Sequence, residues 1–275
     1  MSISDYQFPV SELLNYGECS NYEEWRNYVQ ELNFEEQHIP ELIRMATDEE
    51  LNQADSDSKE VWSPLHAWRA LGQLKAMEAL EPLLGLLNKS EDDDCISGDF
   101  AKFCSLIGLE SIPLLKIFLA DSSNNLYARV DVAEALTTLS QNYPETRESN
   151  IAAITQELKK YRDNDPSFNS LLIDFLVDLQ AVEEINLIEE VFKANQVDTS
   201  WGEDWEDIQV EFGIKTRDEV TPRRFSEAEI LDLLLASSRK NKAAKGFGST
   251  LAEPTNKKTS KSSRKRKSSR KIKKK

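Results

Sequence analysis

The feature that most limits what this chain can fold into is a pair of helical stripes that recurs four times at nearly constant spacing. In the first helix of each unit apolar residues fall at i, i+3, i+4 and i+7: Ala67, Ala70, Leu71 and Leu74; Phe100, Phe103, Cys104 and Ile107; Val132, Ala135, Leu136 and Leu139; Leu172, Phe175, Leu176 and Leu179. This is the core-facing stripe of an amphipathic helix. A second stripe follows each, at i, i+3 and i+7: Leu80, Leu83 and Leu87; Ile112, Leu115 and Leu119; Ile151, Ile154 and Leu158; Ile185, Ile188 and Phe192. The units begin 33, 32 and 40 residues apart, within the period range of arrays in which each unit buries its stripe against its neighbours. The expected fold is all-α, an α-solenoid of helix pairs, followed by a disordered basic C-terminal tail.

The segments around the repeats divide the chain further. Residues 1–60 read as a helical N-terminal cap, with Trp25, Tyr28, Val29 and Leu32 on one face, Pro40 at a helix start, and Thr47 and Glu50 at capping-box spacing. The repeats occupy 61–195, opened by Ser63 as cap and Pro64 as first helical residue; Pro82 and Pro113 mark the starts of two second helices. Residues 196–236 read as a C-terminal helical cap that ends in a short helix through Ile230, Leu231, Leu233, Leu234 and Leu235, opened by Ser226 and Glu229. Residues 237–275 hold too few apolar side chains to offset about 1–2 kcal/mol of chain entropy per ordered residue.

Charge is distributed with extreme asymmetry. From Arg239 onward 16 Lys and Arg face the single Glu253, a net +15, whereas the rest of the chain holds 18 basic and 48 acidic residues, a net −30. The acidic body repels nucleic acid and the tail attracts polyanions, the body itself included. No apolar run approaches the length of a membrane helix, and Asp5 stands where a basic signal-peptide region belongs. The three cysteines, Cys19, Cys95 and Cys104, form no C-x-x-C pair. A cytoplasmic protein without membrane contact, metal or cofactor is therefore expected.

The stretch from Glu36-Gln37-His38-Ile39-Pro40 through Trp62-Ser63-Pro64-Leu65-His66-Ala67-Trp68-Arg69-Ala70-Leu71-Gly72 to Glu81-Pro82-Leu83-Leu84 resembles a bacterial family of uncharacterised HEAT-like, phycobilisome-lyase-type repeat proteins. Asp204-Trp205-Glu206-Asp207-Ile208-Gln209 with Phe212-Gly213-Ile214 is similar to an element near the end of that family's repeat region. The resemblance covers roughly residues 30–214. It implies an all-helical fold of HEAT-like repeats and no established activity; some proteins with such repeats are phycobilin lyases or accessory factors. The lysine-rich end departs from relatives that finish in a small cysteine-bearing metal motif.

Two groups of side chains are candidates for protein binding: Trp62, His66, Trp68 and Arg69, and the pair Trp201 and Trp205 amid Glu203, Asp204, Glu206 and Asp207. Aromatic and cationic groups within two helical turns can hold an acidic peptide or a planar ligand. Packing competes with that reading and ranks ahead of it, with Trp62 and Trp68 against the cap, His66 on solvent or a carbonyl and Arg69 on an acid of the lead-in. Polyanion contact falls to Arg264, Lys265, Arg266, Lys267, Arg270 and Lys271. Asp92, Asp93 and Asp94 lack the alternating ligands of a calcium loop and read as a solvated turn. Cys104 sits on a core stripe, so no thiol site or other catalytic constellation is visible.

The expected function is a non-catalytic protein–protein interaction scaffold with an unknown protein partner. One alternative is a nucleic-acid-associated protein that binds RNA or DNA through its tail. The other is a phycobilin lyase-like accessory factor.

Overall fold

The computed structural model describes residues 5–19, 24–89, 94–200 and 203–220, and over 94–98 the backbone alone. Among these residues the chain is all-helical, without a strand. Helices α1 (Tyr28–Leu32), α2 (Ile39–Ala46) and α3 (Glu49–Asn52) lead in. Four pairs follow: α4 (Ser63–Gln73) with α5 (Leu80–Leu87), α6 (Asp94–Ile107) with α7 (Ile112–Ala120), α8 (Leu126–Asn142) with α9 (Arg147–Leu158), and α10 (Pro166–Asp178) with α11 (Ile185–Lys193). Helix α12 (Trp205–Glu211) comes last.

The first helices lie beside one another, α2 on α4, α4 on α6, α6 on α8 and α8 on α10, and α7 packs on both α8 and α9. The stripes explain this order. Ala67, Ala70, Leu71, Phe100, Phe103, Cys104, Val132, Ala135, Leu136, Leu139, Leu172, Leu176 and Leu179 are all buried, as are Leu83, Leu115, Ile154, Leu158 and Ile188 of the second helices. A helix apolar on one side only stays folded when a neighbour covers that side, and burial at about 25 cal/mol per Å² supplies the driving force.

A device not visible in the stripes joins the two helices of each unit. Every second helix is preceded by one 3-10 turn: Met77–Ala79, Leu109–Ser111, Pro144–Thr146 and Val182–Glu184. The chain reverses into that turn through a residue of positive φ at Lys75 (φ 54°), Gly108 (φ 86°) and Gln180 (φ 51°); at Gly108 ψ is −149°, a conformation that essentially only glycine adopts. Gly108 alone needs to be glycine: a Cβ there would lie 3.2 Å from the Tyr143 hydroxyl.

Several local expectations need correction. Thr47 is not the cap of α3: its hydroxyl donates back to the Ile43 carbonyl, and Asp48 accepts from the Glu50 and Leu51 amides. An aspartate one position on carries a full charge to the helix start and outcompetes the hydroxyl. Ser63 is already inside α4, and its hydroxyl donates to Leu13 O at 3.3 Å, tying the N-terminal segment down. The Ser226–Glu229 box, the helix through Leu235 and the tail lie outside the described residues.

Among the described residues two buried ion pairs tie helices together, one between units and one within a unit. Arg69 of α4 meets Asp99 of α6 at 2.8 Å, with side chains 2% and 1% exposed. Arg129 of α8 meets Glu157 of α9 at 2.7 Å, donates to the Leu119 carbonyl at the end of α7 and lies over the Phe168 ring of α10.

Candidate functional site

His66 and Arg69 lie one turn apart on α4 and both face the N-terminal segment. Gly17, with φ 70°, turns the chain there. His66 Nε2 donates to the Gly17 carbonyl at 2.8 Å, which leaves Nδ1 to accept the Tyr28 hydroxyl at 2.7 Å. The tautomer follows from these partners. Cys19 Sγ sits 3.6 Å from the same nitrogen, and the Tyr16 ring stands edge-on to the imidazole with centroids 5.3 Å apart. Together with Arg26 and Arg69 these groups line a cavity of about 180 Å³.

The electrostatics define what this cavity can do. Burial pushes His66 down to about 4 and pushes the Tyr28 phenol up. The imidazole is neutral at neutral pH, with Nε2–H committed to the Gly17 carbonyl and Nδ1 to the Tyr28 hydroxyl. The Arg69 guanidinium is bound to both oxygens of Asp99, at 2.8 and 3.3 Å, and Trp25 Nε1 donates to the same carboxylate at 3.0 Å. The cluster holds the N-terminal segment and α1 onto α4.

One pH prediction follows. Unfolded His66 takes up a proton near 6.5, whereas the folded imidazole resists until about 4. Below 6.5 the unfolded state therefore binds more protons, and stability falls as pH drops through that window, by at most about 3 kcal/mol. Urea midpoints measured from pH 7.5 to 4.5 are expected to fall less steeply in a His66→Gln chain than in the native one.

The sequence candidates are placed as follows. Trp62 is 5% exposed and Trp68 fully buried. Trp68 packs on Phe100 and Phe103 of the following unit, at 6.0 and 5.6 Å between centroids, where the expectation was the cap. Arg69 pairs with Asp99 of the next unit. The reason is geometric: side chains on one first helix reach the neighbouring first helix, against which α4 is laid. All four members of the quartet Trp62, His66, Trp68 and Arg69 are buried. Trp205 is half-buried against Phe192 at 5.7 Å. Trp201, Asp92, Asp93 and residues 264–271 lie outside the described residues.

An open surface exists elsewhere. Between α5 and α7 runs a groove of about 310 Å³ with Leu84, Leu114, Ile117 and Phe118 on its walls and Glu81 and Asp121 at its rims. Ile117 is 69% exposed, and a Cβ on Gly85 would meet nothing within 4 Å. Its floor is fixed: Asn124 donates to the Phe118 carbonyl at 2.9 Å, and Asn88 accepts the Asn125 amide at 2.6 Å. The signal was present in the sequence. Once Ile112, Leu115 and Leu119 take the inner face of α7, Leu114, Ile117 and Phe118 remain on the other side, and a helix apolar all round is covered by something on both sides.

Carboxylates crowd the C-terminal end. Burial, then Glu203 and Asp178, push Asp174 of α10 up to about 7 from an unfolded value of 3.8. The folded state holds a proton that the unfolded state loses, so this group's contribution is present in acid and lost as pH rises through 7. Asp174→Asn is expected to raise the urea midpoint at pH 8 and to change it little at pH 5. Among the described residues no cluster of three or more His, Cys, Asp and Glu is arranged to hold a metal ion, and no single helix is long and apolar enough to cross a membrane. Comparison with protein-family models, curated proteins and solved structures finds no significant match.

Proposed function

We propose that the chain is a non-catalytic protein-interaction scaffold, a HEAT-like α-solenoid that binds another protein in the groove between α5 and α7. The observation that carries this reading is the groove itself: Ile117 is 69% exposed beside Leu114 and Phe118, with acidic rims at Glu81 and Asp121. Contiguous exposed apolar surface rimmed by polar groups is characteristic of partner-binding sites. The partner best suited to it presents an apolar anchor flanked by basic residues. The side-by-side first helices support the solenoid reading, because such arrays expose one row of helices along which partners lie.

A second reading has its own support. Sixteen basic residues against one acid from Arg239 onward favour RNA or DNA binding through the tail. Affinity capture separates the two, using the full-length chain and a version ending at Ala236, each with and without nuclease. A protein partner retained by both chains and insensitive to nuclease is the expected result. Capture that disappears with the tail or with nuclease would assign the protein to nucleic acid instead.

A further inference from the structure

The groove and the tail complement each other in both chemistry and charge. Glu81 and Asp121 flank the apolar walls, and among the described residues no lysine or arginine lines the groove. The nearest cation on α7, Lys116, is engaged by Ser149 of α9, at 2.8 Å to the carbonyl and 3.0 Å to the hydroxyl. An occupant should therefore bring large apolar side chains between positive charges. The chain contains such a segment, Arg239–Lys258, in which Phe247 and Leu251 lie four residues apart between Arg239, Lys240, Lys242 and Lys245 on one side and Lys257 and Lys258 on the other. The more basic stretch beyond it offers only Ile272 as an anchor.

The length of chain also fits. Val220 is the last described residue, and 26 residues separate it from Phe247. A stretch of that length spans at most about 90 Å, and a segment tethered within such a span is present at up to roughly millimolar effective concentration. The body opposes the tail with a net −30 against +15, which favours encounter between the two at low salt.

We infer that the α5/α7 groove is a docking site for the chain's own segment Arg239–Lys258, with Phe247 as its anchor, so that a partner must displace the tail to bind. This rests on reading the groove as the binding surface. The full-length chain carrying the photo-cross-linker p-benzoylphenylalanine in place of Phe247 tests it, with cross-linked peptides mapped by mass spectrometry. Equal amounts of heavy- and light-isotope protein are mixed beforehand, so that links within one copy are told from links between copies.

Links within one copy, concentrated on Leu84, Leu114, Ile117 and Phe118, are expected. Their yield should fall about tenfold in Ile117→Glu and in the double charge reversal Glu81→Lys with Asp121→Lys. All three positions are exposed, and unchanged melting verifies the fold. Links scattered over the body, links mainly between copies, or links to a captured foreign protein or nucleic acid in place of the groove would each overturn the inference. Links that avoid the groove while partner capture still depends on Ile117 overturn self-docking and leave the binding surface standing. Links in the groove with partner capture indifferent to Ile117 overturn the scaffold reading alone.

Discussion

Asp99→Ala is expected to destabilise the protein by about 3–5 kcal/mol, which lowers the melting temperature by roughly 10 °C. In the native fold Arg69 reaches this carboxylate through Nε at 2.8 Å and Nη2 at 3.3 Å, and Trp25 Nε1 donates to it at 3.0 Å. The alanine takes the counter-charge from a guanidinium only 2% exposed and strips a hydrogen bond from an indole at the same time. Burial leaves the guanidinium poorly solvated, so the loss contains the desolvation penalty of the cation as well as the missing attraction. The pair itself is a different matter. Replacing both members, Arg69→Met with Asp99→Leu, should recover most of the loss, because two apolar side chains leave no charge stranded. Denaturant unfolding of the single and double substitutions separates the two effects. A loss under about 1 kcal/mol in Asp99→Ala would mean that the contact between α4 and α6 is not built around this pair.

Leu136→Asp is expected to abolish cooperative folding. Leu136 is fully buried on α8, and α8 packs against α6, α7, α9 and α10 at once. Removing the leucyl group from such a site costs about 2–5 kcal/mol through lost transfer energy and the cavity left behind. The uncompensated carboxylate adds several more, and the sum reaches the whole stability of an ordinary domain, about 5–15 kcal/mol. Because α8 packs on helices of the pairs before and after it, damage at α8 withdraws support on both sides. Leu136→Met, which keeps volume and polarity, should cost less than about 1.5 kcal/mol. Helical circular dichroism and thermal melting of the two variants decide the matter, and a normal melt in the aspartate variant would place the core elsewhere.

What could be read from the sequence divides along physical lines. The stripes were legible because helical periodicity records burial directly, and Val132, Ala135, Leu136 and Leu139 are buried as their spacing requires. The partner of each buried polar group was not legible. Arg69 and Asp99 are thirty positions apart, and His66 meets Gly17 and Cys19 across nearly fifty; such contacts depend on which helix lies beside which. What Trp68 packs against was hidden for the same reason, since an aromatic residue on a helix has the same spacing whether it faces the cap or the next unit. The groove was legible in part. Leu114, Ile117 and Phe118 were visible as an apolar surplus on α7, but the gap between α5 and α7 that turns the surplus into a site appears only in three dimensions.

The most direct test of the binding surface is quantitative affinity capture by the full-length native chain and by full-length Ile117→Glu, with melting curves taken on the same preparations. The account predicts that the protein partner recovered by the native chain drops at least about tenfold with the variant while the melting curve stays in place. Equal recovery by two equally stable chains would contradict it and move the binding surface away from α5 and α7.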